Sequence, residues 1–260
     1  MAVAVPDILA RIVDHKRSQL ARASARRADL EHRAADRPAA RDFRAALIAS
    51  QPAIIAEIKQ ASPSKGVFTD DFHPASIAQL YETGGAAALS VLTDEEFFKG
   101  KLADLEAARS AVAVPVLRKD FTIDEFHIIE AAAHGADAIL LIAAILDIQQ
   151  LRGFRELAAR YGMAALVEVH DDYELDAALD SGADIVGVNN RNLHTFEVAL
   201  DTSLRLAEKM PAAVVKIAES GIHSRADVQR LQTAGFHAFL VGEHLMKSAD
   251  PAAALRELRS

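Results

Sequence analysis

Glycine recurs in this chain on a near-constant beat. Gly85-Ala86-Ala87, Gly135-Ala136-Asp137, Gly182-Ala183-Asp184 and Gly235-Phe236-His237 each precede an apolar run, at intervals of 50, 47 and 53 residues. Glycine suits the left-handed turn that ends a helix, where a side chain would clash. One such turn for every two strand–helix units gives four pairs, hence eight strands. Any helix-to-strand connection favours glycine, which accounts for each one singly but not for their even spacing.

The rest of the pattern agrees with that count. Apolar runs fit for strands fall near 54–59, 87–92, 114–118, 137–143, 163–169, 184–189, 213–218 and 237–241. Helical periodicity fills the gaps near 74–83, 101–111, 124–134, 147–161, 172–181, 201–209 and 224–233, with a last helix over 243–258. Ala138-Ile139-Leu140-Leu141-Ile142 is almost continuously apolar, as a strand covered on both faces should be. Regular alternation through eight units predicts an α/β fold, a closed (β/α)8 TIM barrel ringed by helices, with the doubly wound open sheet as the alternative. Residues 1–50 read as helical: Ile8, Leu9, Ile12 and Val13 share one stripe, and Phe43, Leu47 and Ile48 another. A helical extension over 1–50 and a barrel over 51–260 are therefore expected.

Composition narrows the function. The 260 residues, 51% hydrophobic and 25% charged, can bury a large core. With no cysteine there is no disulfide, thiolate metal site or cysteine nucleophile, which suits a reducing cytoplasm. A formal charge of -8 opposes general nucleic-acid binding, although locally clustered basic residues could still hold an acidic small molecule. Pro6 and Asp7 stand where a signal peptide needs its apolar centre, and no apolar span reaches the ~20 residues of a membrane helix. Arg22 to Arg44 is interspersed with Asp29, Glu31, Asp36 and Asp42, and reads as a solvated helix face rather than a transit peptide. The expectation is a cytoplasmic monomer acting on a small molecule, with neither nucleic acid nor membrane as partner.

In such barrels the reactive groups lie at the carboxyl ends of the strands. Strand 1 ends in Glu57 and Lys59, which alternation places on one face. Strand 3 supplies Lys119, strand 5 Glu168, strand 6 Asn189 and Arg191, and strand 7 Glu219 and Ser220. One charged residue at a strand end can be a structural ion pair, but a whole rim of them reads as an active site, because buried charge is costly unless paired or used. Ser220-Gly221-Ile222 and Val241-Gly242-Glu243 follow strands 7 and 8, where barrel enzymes present backbone N–H groups to a phosphate. Ser62 and Ser64 could add hydroxyl donors.

Neither G-x-x-x-x-G-K nor G-x-G-x-x-G occurs, so no nucleotide cofactor is expected. The ten histidines lack H-x-H or H-E-x-x-H spacing, so no metal is expected either; His170 and His194 near the rim read as solvated loop residues. Phe97, Phe98 and Phe121 follow strands 2 and 3 and could pack beneath a lid or against an aromatic ligand. The residues alone thus indicate acid–base chemistry by lysines and glutamates, without a cofactor, on a phosphorylated molecule. Lys59, Lys119 and Arg191 suggest a second anion on it.

The segments Ala56-Glu57-Ile58-Lys59-Gln60-Ala61-Ser62-Pro63-Ser64-Lys65-Gly66, Leu117-Arg118-Lys119-Asp120-Phe121, Gly187-Val188-Asn189-Asn190-Arg191-Asn192-Leu193 and Ala218-Glu219-Ser220-Gly221-Ile222 closely resemble the indole-3-glycerol phosphate synthase family. The likeness runs over essentially the whole chain and implies a lyase of tryptophan biosynthesis. It implies ring closure, decarboxylation and dehydration of 1-(2-carboxyphenylamino)-1-deoxyribulose 5-phosphate by a monofunctional enzyme. By resemblance Lys119 is the general acid, Lys59 pairs with the substrate carboxylate, Glu168 is base or charge stabiliser, and Glu57 orients the lysines. Asn189, Arg191 and Glu219 hold substrate polar groups. Ser62, Ser220, Gly221, Gly242 and Glu243 line the phosphate, while Phe98, Phe121 and Leu193 flank the anthranilate ring. The resemblance also places residues 1–50 over the barrel mouth.

The chain departs from some relatives at Ala61, where they carry lysine, and at Glu243, where they carry serine. The backbone N–H of Glu243 is therefore the expected contact, with its carboxylate turned away. A Schiff-base aldolase, which also needs a strand-end lysine, and a catalytically dead sugar-phosphate binding module stay as alternatives.

Overall fold

A computed structural model describes residues 7–63 and 65–260, apart from the side chains of residue 7 and residues 21–24. Eight parallel strands close into a barrel: β1 Ala53–Ile58, β2 Ala88–Leu92, β3 Val116–Lys119, β4 Ala138–Ile142, β5 Ala164–Val169, β6 Ile185–Asn189, β7 Val215–Glu219 and β8 Ala238–Val241. Each strand pairs with its sequence neighbour, and β8 closes on β1 with Ala53 opposite Ala238 and Ala56 opposite Val241. Closure excludes the open doubly wound sheet. Around it run α4 Pro74–Thr83, α5 Leu102–Ala111, α6 Glu125–Ala133, α7 Ile148–Arg160, α8 Asp172–Asp180, α9 Asp201–Ala207, α10 Arg225–Thr233 and α11 Pro251–Arg259; ahead of the barrel come α1 Asp7–Ala23, α2 Arg27–Ala35 and α3 Phe43–Ala49.

Local chemistry sets the boundaries. Asp124, Asp147, Asp171, Ser224 and Asp250 cap their helices, each side-chain oxygen accepting an N–H of the first turn. The four repeat glycines all lie at positive φ, between 83° and 91°, just past helix ends, so the beat does mark helix exits. The expected last helix over 243–258 is two: a single turn, Glu243–Met246, then α11, which restarts at Pro251 behind the Asp250 cap. A proline cannot continue a helix but suits its first turn.

Two cores follow from strand alternation. Residues facing outward, such as Ile54, Ala56, Leu89, Leu141 and Val167, pack under the helices. Inward residues, among them Ile55, Leu117, Leu140, Leu166, Ile185 and Ile217, fill the barrel. Phe43 and Leu47 of α3 join that inner cluster beside Ala53, Ala88 and Ala238, the first residues of their strands. The described part of the extension is therefore not one cap on the mouth. Ile8, Leu9 and Ile12 of α1 line the mouth, α2 packs along α6, and α3 plugs the opposite end.

The arginine-rich stretch is also less uniform than expected. Arg26 is exposed and Arg27, Arg33 and Arg44 are partly so, but Arg37 is tucked in, donating to Ala136 O at 2.6 Å near Asp137. The side chain of Arg22 lies outside the described residues.

Candidate active site

The inward face that is apolar through the barrel becomes polar at its carboxyl end. The last inward positions of β3, β5, β6 and β7 are Lys119, Glu168, Asn189 and Glu219, and β1 adds Glu57 with Lys59 just beyond it. All line one cavity of about 240 Å³.

Lys119 stands at its centre. Its Nζ donates to Glu219 Oε2 at 2.6 Å and to Glu168 Oε2 at 3.0 Å. Burial alone would pull this ammonium down, but Glu168, Glu219 and Glu57 together outweigh it and raise its pKa above the ordinary lysine value. The two glutamates part company. For Glu168 burial opposes ionisation, yet Lys119 and His170 hold its carboxyl well below the usual range. Glu219 is 1% exposed; burial and the charge of Glu168 prevail over Lys119 and push it up to about 7. A pair of carboxyls driven apart in this way, one ionised and one near neutrality, is the arrangement that acid–base enzymes use.

Neighbours fix these groups. Asn189 Nδ2 donates to Glu168 Oε1 at 3.2 Å, while its Oδ1 accepts the Arg191 N–H at 3.0 Å and the Ser220 hydroxyl at 2.9 Å. Lys59 Nζ donates to Glu57 Oε1 at 2.5 Å and lies 5.5 Å from the centre of the Phe68 ring. Glycine makes the room: a Cβ on Gly242 would come within 2.3 Å of Glu57 Oε1, and one on Gly187 within 2.2 Å of Glu219 Oε1.

The mouth carries both aromatic and polar groups. Phe98 and Phe121 lie with ring centroids 6.0 Å apart at 37°, and Leu193 and the α1 residues face the same cavity. Phe98 is carried by a one-turn helix, Glu95–Phe98, whose Asp94 cap accepts the Phe97 N–H at 2.8 Å. The same cavity is lined by Ser62, Ser220, Gly221, Gly242 and Glu243, with Ser62 on a segment that packs beside the Phe98 turn. Ser62 Oγ is buried without a hydrogen-bond partner among the described residues, on a short hairpin of Ala61–Ser62 with Gly66–Val67 that the sequence did not suggest. Ser64, the second hydroxyl expected there, lies outside the described residues. The Glu243 carboxylate is occupied by Lys247 at 2.6 Å and Lys65 at 3.6 Å. Arg191 bridges to Val198 across its loop and donates to Phe196 O at 3.2 Å.

Three residues escaped the sequence reading. His170 is not a solvated loop residue: its side chain is 12% exposed and sits between Glu168 and Glu174. His194 is exposed, as expected. Asn190 anchors the strand-6 loop by donating to Glu219 O at 3.0 Å and Ser220 O at 3.2 Å while accepting from Ser203. Lys16 of α1 reaches Asp94 at 3.0 Å and Asp120 at 2.6 Å, fully enclosed, and so ties the N-terminal helix to the cap of the Phe98 turn and to the residue that follows Lys119. Burial would raise the Asp120 carboxyl, but Arg118 and Lys16 hold it well below the carboxylate range. A lysine in register with Ile12 and Val13 on an apolar stripe was the available signal.

A closed barrel with a lysine clasped by two glutamates under an aromatic-lined mouth defines an acid–base enzyme of the TIM-barrel class. A sequence model of the family described as indole-3-glycerol phosphate synthase matches residues 9–258. Proteins described by the same words are 52% identical over 258 residues in Albidiferax ferrireducens and 50% identical over 258 residues in Aromatoleum aromaticum. Each alignment covers 97% of this chain and 98% of the relative. A thiamine phosphate pyrophosphorylase from Pyrococcus furiosus superposes with a TM-score of 0.60 at 16% identity, covering 81% of this chain and 95% of that one, a likeness of fold alone.

The chain belongs to the indole-3-glycerol phosphate synthase family. It is a carbon–carbon lyase of tryptophan biosynthesis that forms indole-3-glycerol phosphate by ring closure, decarboxylation and dehydration, and it binds a sugar phosphate. Among the described residues no helix is long and apolar enough to cross a membrane.

Proposed function

We propose that the substrate is 1-(2-carboxyphenylamino)-1-deoxyribulose 5-phosphate, bound with its ring among Phe98, Phe121 and Leu193. Its phosphate lies toward Ser62, Ser220, Gly221, Gly242 and the N–H of Glu243. The observation that carries this reading is the clasp of Lys119 between Glu168 and Glu219 in a cavity lined by both aromatic and hydroxyl or glycine residues. The Ser62 hydroxyl, buried without a partner among the described residues, supports the phosphate's place.

Lys119, kept protonated by its carboxylates, gives a proton to the ketone oxygen as the ring carbon attacks the ketone carbon. Loss of carbon dioxide then returns an electron pair to the ring, the protonated hydroxyl departs as water to leave an iminium-type cation, and loss of a proton from the adjacent methylene carbon completes the indole. Lys59 pairs with the anthranilate carboxylate and, once that has gone, donates to the leaving hydroxyl. Glu57 orients Lys59, while Glu168 stabilises the developing iminium charge or accepts the ring proton. Asn189, Arg191 and Glu219 hold the substrate's polar groups and each other.

The aldolase alternative fits less well. A Schiff base needs a neutral amine, and two carboxylates keep Lys119 charged. In the same reading residues 1–50 are an extension of a catalytic barrel over 51–260, and the enzyme works as a cytoplasmic monomer.

Replacing Lys119 tests the assignment. In Lys119→Met, appearance of indole fluorescence should slow about 100- to 10,000-fold while equilibrium binding of the substrate persists. Turnover within about tenfold of the parent refutes the role.

A further inference from the structure

The mechanism above leaves His170 without a part, yet its surroundings are built rather than incidental. It follows β5 directly, two residues past Glu168, with its side chain largely enclosed. Both ring nitrogens face carboxylates: Nδ1 lies 2.9 Å from Glu174 Oε2, and Nε2 lies 3.4 Å from Glu168 Oε1. Nε2 makes no hydrogen bond among the described residues; its contact with Glu168 is one of ion-pairing distance.

Glu174 is itself held in the first turn of α8. Its N–H donates to Asp171 Oδ1 at 2.9 Å, and its Oε2 also accepts the backbone N–H of His170 at 2.8 Å. On the far side Glu168 Oε2 accepts from Lys119. Charges thus alternate in one line from helix to barrel centre: Glu174, His170, Glu168, Lys119, Glu219.

The partners dictate the state of the ring. A neutral imidazole offers one N–H and one lone pair, and a lone pair aimed at a carboxylate is repelled. Only the imidazolium presents a donor to each side. Burial pulls the ring's pKa down, but Glu168 and Glu174 outweigh that and push it up to about 10. Those two are the charged groups that face it, from its own strand and from α8. The turn Ala143–Ile145, which packs against both elements, is wholly apolar.

We propose that His170 is a positioning residue, which keeps Glu168 ionised and turned toward Lys119 by spanning it to Glu174. The proposal rests on the reading that Glu168 acts on the substrate. Its consequence has a definite sign. An opposite charge near a carboxyl lowers its pKa by about one to three units, so without the imidazolium Glu168 takes up its proton at higher pH. The acid limb of the rate profile then moves upward.

His170→Gln keeps an N–H donor and removes the charge. The acid limb of its kcat profile should move up by about one to three pH units, while kcat near pH 8 stays within about threefold of the parent and KM changes less than about threefold. A loss of equal size at every pH, or no loss at all, overturns the proposal. Nitrogen-15 NMR of the parent, free of ligand near pH 8, reads the ring without any variant: two protonated ring nitrogens are expected, and a neutral ring overturns it. Should Glu168→Gln retain parental kcat, the reading of Glu168 fails, and with it the catalytic value of His170. The ring spectrum would still report the ion pairs, so the two failures are distinguishable.

Discussion

Gly187 offers the sharpest probe of the site because it touches the chemistry without being part of it. It faces into the barrel from β6, between Ile185 and Asn189. An alanine there would set its Cβ 2.2 Å from Glu219 Oε1, 3.2 Å from Glu219 Cδ and 3.0 Å from Leu166 Cδ1. Ordinary contact begins at 3.4 Å. The carboxyl must therefore retreat by about 1 Å, since Leu166 can give by only a few tenths in a packed interior. The Lys119–Glu219 bond, now 2.6 Å, would stretch to the limit of hydrogen-bonding range. A misplacement of that size costs about 100-fold in rate. Overpacking adds a penalty of about 1–3 kcal/mol, small enough to leave a domain stable by about 5–15 kcal/mol folded. Indole fluorescence for kcat, together with thermal unfolding, separates the two effects. The expected result is kcat down about 100-fold with Tm lowered by roughly 2–4 °C per kcal/mol lost. As a control, Gly153→Ala on α7 meets nothing within 4 Å. It should leave kcat unchanged and gain up to about 1 kcal/mol from helix propensity. A Gly187→Ala enzyme with kcat within about threefold of the parent would refute the idea that the Glu219–Lys119 contact matters to the reaction.

Two further outcomes follow from the charges. Glu219, raised to about 7 from an ordinary value of 4.5, favours the folded state fully below the lower figure and loses that contribution as pH rises through the higher one. Glu219→Gln should accordingly gain Tm relative to the parent between about pH 5 and 8, and carbonyl infrared spectra should lose a band titrating near neutrality; a Tm difference that does not vary with pH contradicts the assignment. Lys16→Met leaves Asp94 and Asp120 buried beside a missing partner, a change worth about 3–5 kcal/mol, so Tm should drop by on the order of 10 °C. An unaltered Tm would mean that this pair does not hold α1 on the barrel.

Much of the molecule was legible because strand geometry is local. Period-two alternation alone puts Glu57 with Lys59, and carries each inner row from Ile55, Leu117, Leu166 and Ile217 out to Glu57, Lys119, Glu168 and Glu219. The glycine beat likewise reports a backbone requirement that only nearby residues impose. The break in the last helix is also written locally, in Asp250-Pro251.

The eight-unit barrel, its polar rim and, through its motifs, the family are all legible in the order of the residues. Tertiary structure alone decided which rim carboxyl stays ionised and which sits near neutrality, that His170 is clamped rather than solvated, that Lys16 locks onto Asp120 from some hundred residues away, and that α3 plugs the end opposite the mouth. Side-chain direction is inherited from the adjacent backbone. Charge state is not, because it depends on desolvation and on partners brought together by closure of the whole ring.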